Sequence, residues 1–334
     1  MKMFTFDPAG YRDQYRDQGW VHIREGISPE FHEYLLAYVE KELNAHLLQD
    51  FAISGKKEQA LFEFPSDADQ PEELDELFDS IAELCDLNRE TMVLSERHIQ
   101  AYEPGAAPEP IAHKDRFPSQ VSIGLSITIP DDSRLVLYPY SHNETNPFSK
   151  AADLNAYLQP EERPENVLPG AREVELADRD RDVVIFPGST TWHLRRRSAR
   201  SVNVYFKLND FGVDPLGEDP TTEQVRAQTL AAMGTRDADG LVVALSRRLD
   251  TVARVFTRNG WQEVLQARIY GEEAFGITEF QFDVLRAVDG RRTLAELNAE
   301  VTGGRDAGEV RTAVLLLAER GVLDLLPVGA AVRL

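Results

Sequence analysis

Apolar positions near the start of the chain recur at the three- and four-residue spacing of amphipathic helices. Residues 11–48 predict a helix, a short strand at "WVHIREG" and a long helix for which Ser28 is the N-cap and Pro29 the first residue. Residues 70–88 predict a further helix, whose apolar face carries Leu74, Leu77, Ile81 and Leu84. The chain therefore begins with a helical region.

From about residue 91 to residue 210 the pattern changes to short runs that alternate or are wholly apolar, separated by Pro, Gly and Asp. The runs are "RHIQAY", "VSIGLSITI", "RLVLYPY", "REVEL", "DVVIFPG", "WHLRRR" and "RSVNVYFKL". Many short strands with such breaks between them are typical of an antiparallel sandwich or barrel.

Helical periodicity returns after this region. It predicts a helical connector over 216–268, and then two helices and a longer helix within 277–326. Thr293 and Glu296 form a candidate capping box, and Gly321 suits the end of the last helix. We therefore expect three parts: a β-rich domain over 1–215, the connector, and a winged-helix-like domain over 269–334.

Composition narrows the classes of protein to consider. With 334 residues, 42% of them hydrophobic, the chain can bury sizeable cores. A formal charge of -21 disfavours nucleic acid and anionic membranes as partners. The single cysteine, Cys85, cannot form an internal disulfide, and the first residues lack the apolar run of a signal peptide. We expect a cytoplasmic protein.

The segment "AHKDRF" contains the candidate chemistry. In an extended strand His113 and Asp115 project to the same side, where they could bind one cation. An HxD pattern also arises by chance, so a surface pair is the alternative. His193 follows an apolar strand and a Pro-Gly turn, and would complete the two-histidine, one-carboxylate triad of non-haem iron oxygenases. The alternative for His193, beside Trp192, is an ordinary buried histidine.

The segment "YRDQGWVHIREGISPEFHEYLLAYVEKEL" and four later stretches occur in one order: "QAYEPGAAPEPIAHKD", "RLVLYPYSHN", "DVVIFPGSTTWH" and "RSVNVYFKL". Together, over residues 10–210, they resemble the phytanoyl-CoA dioxygenase-like branch of Fe(II)/2-oxoglutarate oxygenases. The resemblance implies an α+β fold, a double-stranded β-helix (jelly-roll, cupin-like) with flanking helices. It also implies Fe(II) held by His113, Asp115 and His193, with 2-oxoglutarate and O2 as cosubstrates.

Such enzymes hold the far carboxylate of 2-oxoglutarate with an arginine on the strand that returns after the distal histidine. The candidates here are Arg195, Arg196, Arg197 and Arg200, and Arg200 is selected because it begins that strand. Tyr102 matches an aromatic residue that contacts 2-oxoglutarate in relatives, and Ser201 or Asn203 could add a hydrogen bond. An aspartate at position 115 favours hydroxylation, because related halogenases have a small residue there.

The pattern "FQFDVLRAVDGRRTLAELNAEV" with "VRTAVLLLAERGVL" is similar to small winged helices that recognise precursor peptides in ribosomal peptide pathways. Nine acidic and seven basic residues in 277–334 disfavour DNA binding. The resulting hypothesis is a hydroxylase that tailors an amino-acid side chain of a peptide. Three alternatives stay open: a module that only closes the active site or forms a homodimer, a hydroxylase of a free amino acid or other small metabolite, and a non-catalytic iron-binding or regulatory protein.

Overall fold

The structure is a computed structural model that describes residues 1–45, 49–50, 56–65, 71–145, 155, 158–258, 262–301 and 307–328. The chain divides into two compact units, one formed by residues 1–89 with 96–209 and the other by residues 90–95 with 210–334. Among the described residues, no helix is both long enough and apolar enough to cross a bilayer.

The first unit begins with the predicted helices. Ser28 caps the second helix by accepting a hydrogen bond from the backbone N–H of Phe31, with Pro29 at the first helical position, which confirms that prediction. The helices are α1 (Arg12–Gln18), α2 (Pro29–Asn44), α3 (Glu72–Cys85) and α4 (Pro164–Val167). The strands are β1 (Val21–Ile23), β2 (Gln49–Asp50), β3 (Lys56–Leu61), β4 (Val93–Tyr102), β5 (Val121–Thr128), β6 (Arg134–Tyr138), β7 (Val174–Leu176), β8 (Val183–Phe186), β9 (Trp192–Arg196) and β10 (Val202–Asn209).

These strands form two sheets. The larger has the order β1-β8-β5-β10-β4-β3-β2, and the smaller has the order β7-β6-β9. A shared core contains Leu135, Leu137 and Leu176 from the small sheet and Val184, Phe186 and Tyr205 from the large one. Helices together with antiparallel sheets confirm the α+β class that the resemblance implies and the antiparallel strands that the alternating runs predict.

The second unit places helices and small sheets around its own core, which includes Val284, Leu297 and Val314. Its elements are α5 (Pro220–Met233), β11 (Val242–Leu245), β12 (Leu249–Thr257), β13 (Gln262–Ile269), β14 (Phe275–Ile277), α6 (Glu279–Ala287), α7 (Leu294–Val301), α8 (Ala307–Glu319) and β15 (Leu323–Leu326). The sheets have the orders β12-β13-β14 and β11-β15. Reciprocal hydrogen bonds between Thr293 and Glu296 confirm the capping box.

The helical connector expected over 216–268 needs correction. In the described part of this range, 216–258 and 262–268, only Pro220–Met233 is an α-helix, and β11, β12 and most of β13 follow it. The physical reason is that the segment "LDTVARVFT" alternates as a strand does. It forms β12, which pairs with β13 through Val252↔Ala267 and Arg254↔Leu265. Residues 46–48 of the second predicted helix, and residues 302–306 and 329–334 of the predicted winged-helix-like domain, lie outside the described residues.

Replacing Phe206 by alanine should destabilise the first unit. Its ring is fully buried, stacks on Phe64 at 5.7 Å and meets Phe62 edge-on at 5.4 Å. We expect a loss of about 3–5 kcal/mol in the free energy of unfolding, measured by urea denaturation. Leu36→Ala, at a position 41% exposed on α2, is the control and should change stability by less than about 1 kcal/mol. Equal losses in both variants would contradict this assignment of the core.

Candidate metal centre

Three side chains are brought together by backbone pairing between distant segments. His113 and His193 form a two-hydrogen-bond bridge, with both N···O distances 2.9 Å. The N–H of Asp115 donates to the carbonyl of Gly188 at 3.0 Å. One nitrogen from each histidine and one oxygen from Asp115 lie within 4.8 Å of one another. The structure thus assembles the three residues selected from the sequence.

The tautomer of His193 is set by its surroundings. Its Nδ1 lies 2.9 Å from the carbonyl oxygen of Thr191, which can only accept, so Nδ1 carries the proton. The lone pair is then on Nε2, which lies 3.8 Å from Oδ1 of Asp115. Metal-binding histidines commonly have this arrangement, in which a backbone carbonyl holds the nitrogen that does not bind the ion.

Asp115 is held as a carboxylate. Burial raises its pKa, but Lys207 and the two histidines outweigh that effect and hold the pKa well below its usual range. Oδ1 accepts from Nζ of Lys207 at 2.6 Å, and Oδ2 accepts from Oγ of Ser122 at 2.7 Å. Since a carboxylate has about four lone-pair sites, acceptor capacity remains for a cation. Two imidazoles and one ionised carboxylate fit a divalent transition metal.

Lys207 is a site residue that the sequence analysis missed. It belongs to a buried row of alternating charges in which Glu96 lies 3.5 Å from Lys207 and 2.7 Å from Arg116. Pairing offsets part of the cost of burying these groups. The alternation in "VNVYFKL" could have revealed it, because position 207 falls on the same strand face as Asn203 and Tyr205.

A second polar cluster lies further along the same strands. Arg195 follows His193 by two residues on β9, so both project to one face. Its guanidinium is buried, donates to both oxygens of Asp178 at 3.0 and 2.8 Å, and contacts Oγ of Ser133 at 3.3 Å. Asn203 is 1% exposed, and among the described residues neither atom of its amide has a hydrogen-bond partner. Buried, unpaired amides are rare and call for a ligand or water.

The structure brings three of the four predicted 2-oxoglutarate residues to this cluster. Tyr102 lies close enough to Arg195 to interact with its guanidinium electrostatically. The hydroxyl oxygens of Ser201 and Ser133 are 3.3 Å apart. Asn203 lies opposite Ser126 in the pairing of β10 with β5, and Oγ of Ser126 donates to Oδ2 of Asp178 at 2.7 Å. Arg200 does not belong to the cluster, because it occupies the turn before β10 with φ of 66°, and its side chain is exposed. Arg195, rather than Arg200, is therefore the buried arginine.

No protein-family model matches the chain, and no curated protein matches it. Solved structures do match in part. The epimerase SnoN from nogalamycin biosynthesis, in complex with Fe3+, alpha ketoglutarate and nogalamycin RO, has a TM-score of 0.46 and 16% identity, covering 62% of this chain and 86% of its own.

Two further solved structures show the same degree of similarity. The non-heme alpha ketoglutarate dependent carbocyclase SnoK has a TM-score of 0.44 and 19% identity, covering 59% of this chain and 83% of its own. A Pseudomonas putida prolyl-4-hydroxylase has a TM-score of 0.41 and 16% identity, covering 60% of this chain and 98% of its own. Because all these TM-scores are below 0.5, the activity of this chain has to be inferred from its own residues.

Gly188→Ala should weaken metal binding. A Cβ atom at Gly188 would lie 2.0 Å from Oγ of Ser122 and 2.5 Å from Oδ2 of Asp115, so the carboxylate would have to move. After metal removal with a chelator, optical titration with Co(II) should show an affinity at least about tenfold lower than that of the unmodified protein. Gly105→Ala, where a Cβ meets nothing within 4 Å, is the matched control. Unchanged affinity in Gly188→Ala would rule out this geometry.

Proposed function

We propose that the chain is an Fe(II)/2-oxoglutarate-dependent dioxygenase that hydroxylates its substrate. The observation that carries the proposal is the cluster of His113, Asp115 and His193, a donor set that leaves coordination positions open for other ligands. When bound, iron in such a site couples the oxidation of 2-oxoglutarate by O2, to succinate and CO2, to the insertion of one oxygen atom into a substrate C–H bond.

The cluster around Arg195 supports the proposal that 2-oxoglutarate binds beside the metal. A two-residue rise of roughly 7 Å separates Arg195 from His193, which suits a molecule with a carboxylate at each end of a five-carbon chain. In this proposal Arg195 and the Asn203 amide hold the far carboxylate. Tyr102 and Ser201 complete the surroundings.

One observation favours a second candidate, a non-catalytic iron-binding or regulatory protein. Asp178 already engages Arg195 through both of its carboxylate oxygens. Since the side chain of Arg200 is exposed, the arginine available to 2-oxoglutarate in the first unit is Arg195, whose charge Asp178 partly neutralises. Five N–H donors on a guanidinium nevertheless exceed those that Asp178 and Ser133 occupy. Cosubstrate binding decides between the candidates.

Anaerobic titration of the Fe(II)-loaded protein with 2-oxoglutarate should produce a visible metal-to-ligand charge-transfer band. Arg195→Gln should weaken 2-oxoglutarate binding at least about tenfold, because a charge-assisted hydrogen bond is lost. Arg200→Gln is the matched control and should titrate like the unmodified protein. Because Arg195→Gln leaves Asp178 as a buried unpaired charge, the double variant with Asp178→Asn tests the same loss in a neutral cluster. If iron binds but no band appears, the non-catalytic candidate replaces the oxygenase.

At the finer level, we propose a peptide side chain as the substrate. In the second unit β14 is an edge strand of the sheet β12-β13-β14, and edge strands can pair with an extended peptide. A tethered peptide-binding module would raise the effective concentration of a modifiable residue. Hydroxylation of a free amino acid is the alternative, with the module only closing the site or forming a homodimer.

Blocked and free amino acids distinguish these substrates. The full chain, loaded with Fe(II) and 2-oxoglutarate, is supplied with each free amino acid or with its N-acetyl, C-amide form, and succinate is measured. We expect at least one blocked form to stimulate succinate formation more than its free counterpart does, since a residue within a peptide has uncharged amides on both sides. Stimulation confined to free amino acids would favour the alternative.

A further inference from the structure

The second unit contains a cleft that the proposed oxygenase chemistry does not use. Its volume is about 650 Å³, within the range of small-ligand sites. Its walls come from α5, the turn between β11 and β12, the end of β13 and the turn after α8.

Three half-buried arginines, Arg226, Arg247 and Arg248, line the cleft, and Arg247 pairs with Asp219 at 3.6 Å. Arg226 donates to the carbonyl of Ala318 and, at 2.7 Å, to that of Glu319. Nη2 of Arg248 donates to the carbonyl of Tyr270 at 2.6 Å, while its buried Nε has no hydrogen-bond partner among the described residues. The guanidiniums of Arg226 and Arg248 therefore bind backbone oxygens, which do not neutralise their charge.

This pairing differs from that of other arginines in the same unit. Arg254, Arg268 and Arg311 each form an ion pair with a carboxylate. In the described parts of the chain, neither Arg226 nor Arg248 lies within 4.0 Å of a carboxylate oxygen. The charge of Arg226 acts on the Asp324 carboxylate in the same lining, whereas Arg248 keeps a buried Nε–H without a partner among the described residues, so Arg248 is the group that indicates a site for an anion.

Local packing holds Arg248 in place. Gly217 has φ of +72°, and a Cβ atom there would lie 2.4 Å from Nη1 of Arg248. Only glycine leaves room for the guanidinium in this position. The hydrogen bond to the carbonyl of Tyr270 holds the guanidinium in this space before any ligand arrives, which lowers the entropy cost of binding.

The remaining walls restrict the ligand further. Leu216 and Leu230 are 40% and 47% exposed, so an apolar group could cover them. Acidic side chains are also part of the lining: Glu223, Glu272, Glu319 and Asp324. These carboxylates would repel a ligand with several negative charges.

We infer that this cleft binds an amphipathic monoanion, a single carboxylate attached to an aliphatic segment, with the carboxylate on Arg248 and Arg226 and the aliphatic part over Leu230. Two sources share that chemistry: a free aliphatic carboxylate and a peptide segment in which an acidic residue is flanked by apolar ones. The inference is independent of the metal centre.

Isothermal titration of the full chain with octanoate tests the site, with 1-octanol as the neutral probe. Octanoate should bind at least about tenfold more tightly than 1-octanol, and Arg248→Gln should weaken octanoate binding by a similar factor. Arg254→Gln, at an exposed arginine paired with Glu279, is the matched control and should leave binding unchanged. Leu230→Glu places a negative charge on an exposed position and should also weaken binding without affecting folding.

The peptide acetyl-Leu-Glu-Leu-amide distinguishes the sources. Tighter binding of this peptide than of octanoate supports the site and assigns it to peptides, and weaker binding supports the site and assigns it to free carboxylates. If neither octanoate nor the peptide binds, the inference is overturned. Equal binding of octanoate and 1-octanol would also overturn it, as would unchanged octanoate binding in both Arg248→Gln and Leu230→Glu.

Discussion

The first unit depends on keeping one largely buried carboxylate ionised. Asp115 lies where burial opposes its charge, and the ammonium of Lys207 with two imidazoles overcomes that opposition. Each neighbour is placed by a different element, with Lys207 on β10, His193 on β9 and Ser122 on β5. The absence of a side chain at Gly188 leaves the space that the carboxylate occupies. The charge of Asp115 therefore depends on the sheet pairings that place these neighbours.

The interior between the two sheets combines apolar packing with polar groups satisfied in pairs. Leu137 and Phe186 belong to the apolar part, and Arg195 with Asp178 forms a buried ion pair. Asn203 departs from this rule, since its amide is buried without a partner among the residues that the structure describes. An uncompensated amide costs free energy in the folded state, so it stands out as a position retained for what it contacts rather than for stability.

Local periodicity accounts for much of what was predicted. The Ser28 cap and the runs that form β4 to β10 follow from capping chemistry and side-chain alternation, both of which act over a few residues, whereas the α+β class is what the resemblance implies. The HxD spacing of His113 and Asp115 and the Pro-Gly turn before His193 make the triad a candidate, and the family resemblance is what favours it over a chance pattern. Arg200 is the sequence-based choice because it begins the returning strand, but the turn before β10 leaves its side chain in solvent, and tertiary pairing distinguishes Arg195. The alternation in "VNVYFKL" and "LDTVARVFT" does indicate the strand that carries Lys207 and a strand after α5. Which charged groups face Lys207 depends on tertiary pairing, and separations along the sequence do not encode that.

The row of charges from Arg116 through Glu96 and Lys207 to Asp115 lies where counterions have little access. Mobile salt weakens exposed ion pairs over a Debye length of about 8 Å at physiological ionic strength, but buried pairs are screened far less. Salt therefore screens the exposed pair of Arg254 and Glu279, whereas the row of charges beside the triad is screened far less. The electrostatic field at the triad is therefore an internal property of the fold, largely independent of the salt around the protein.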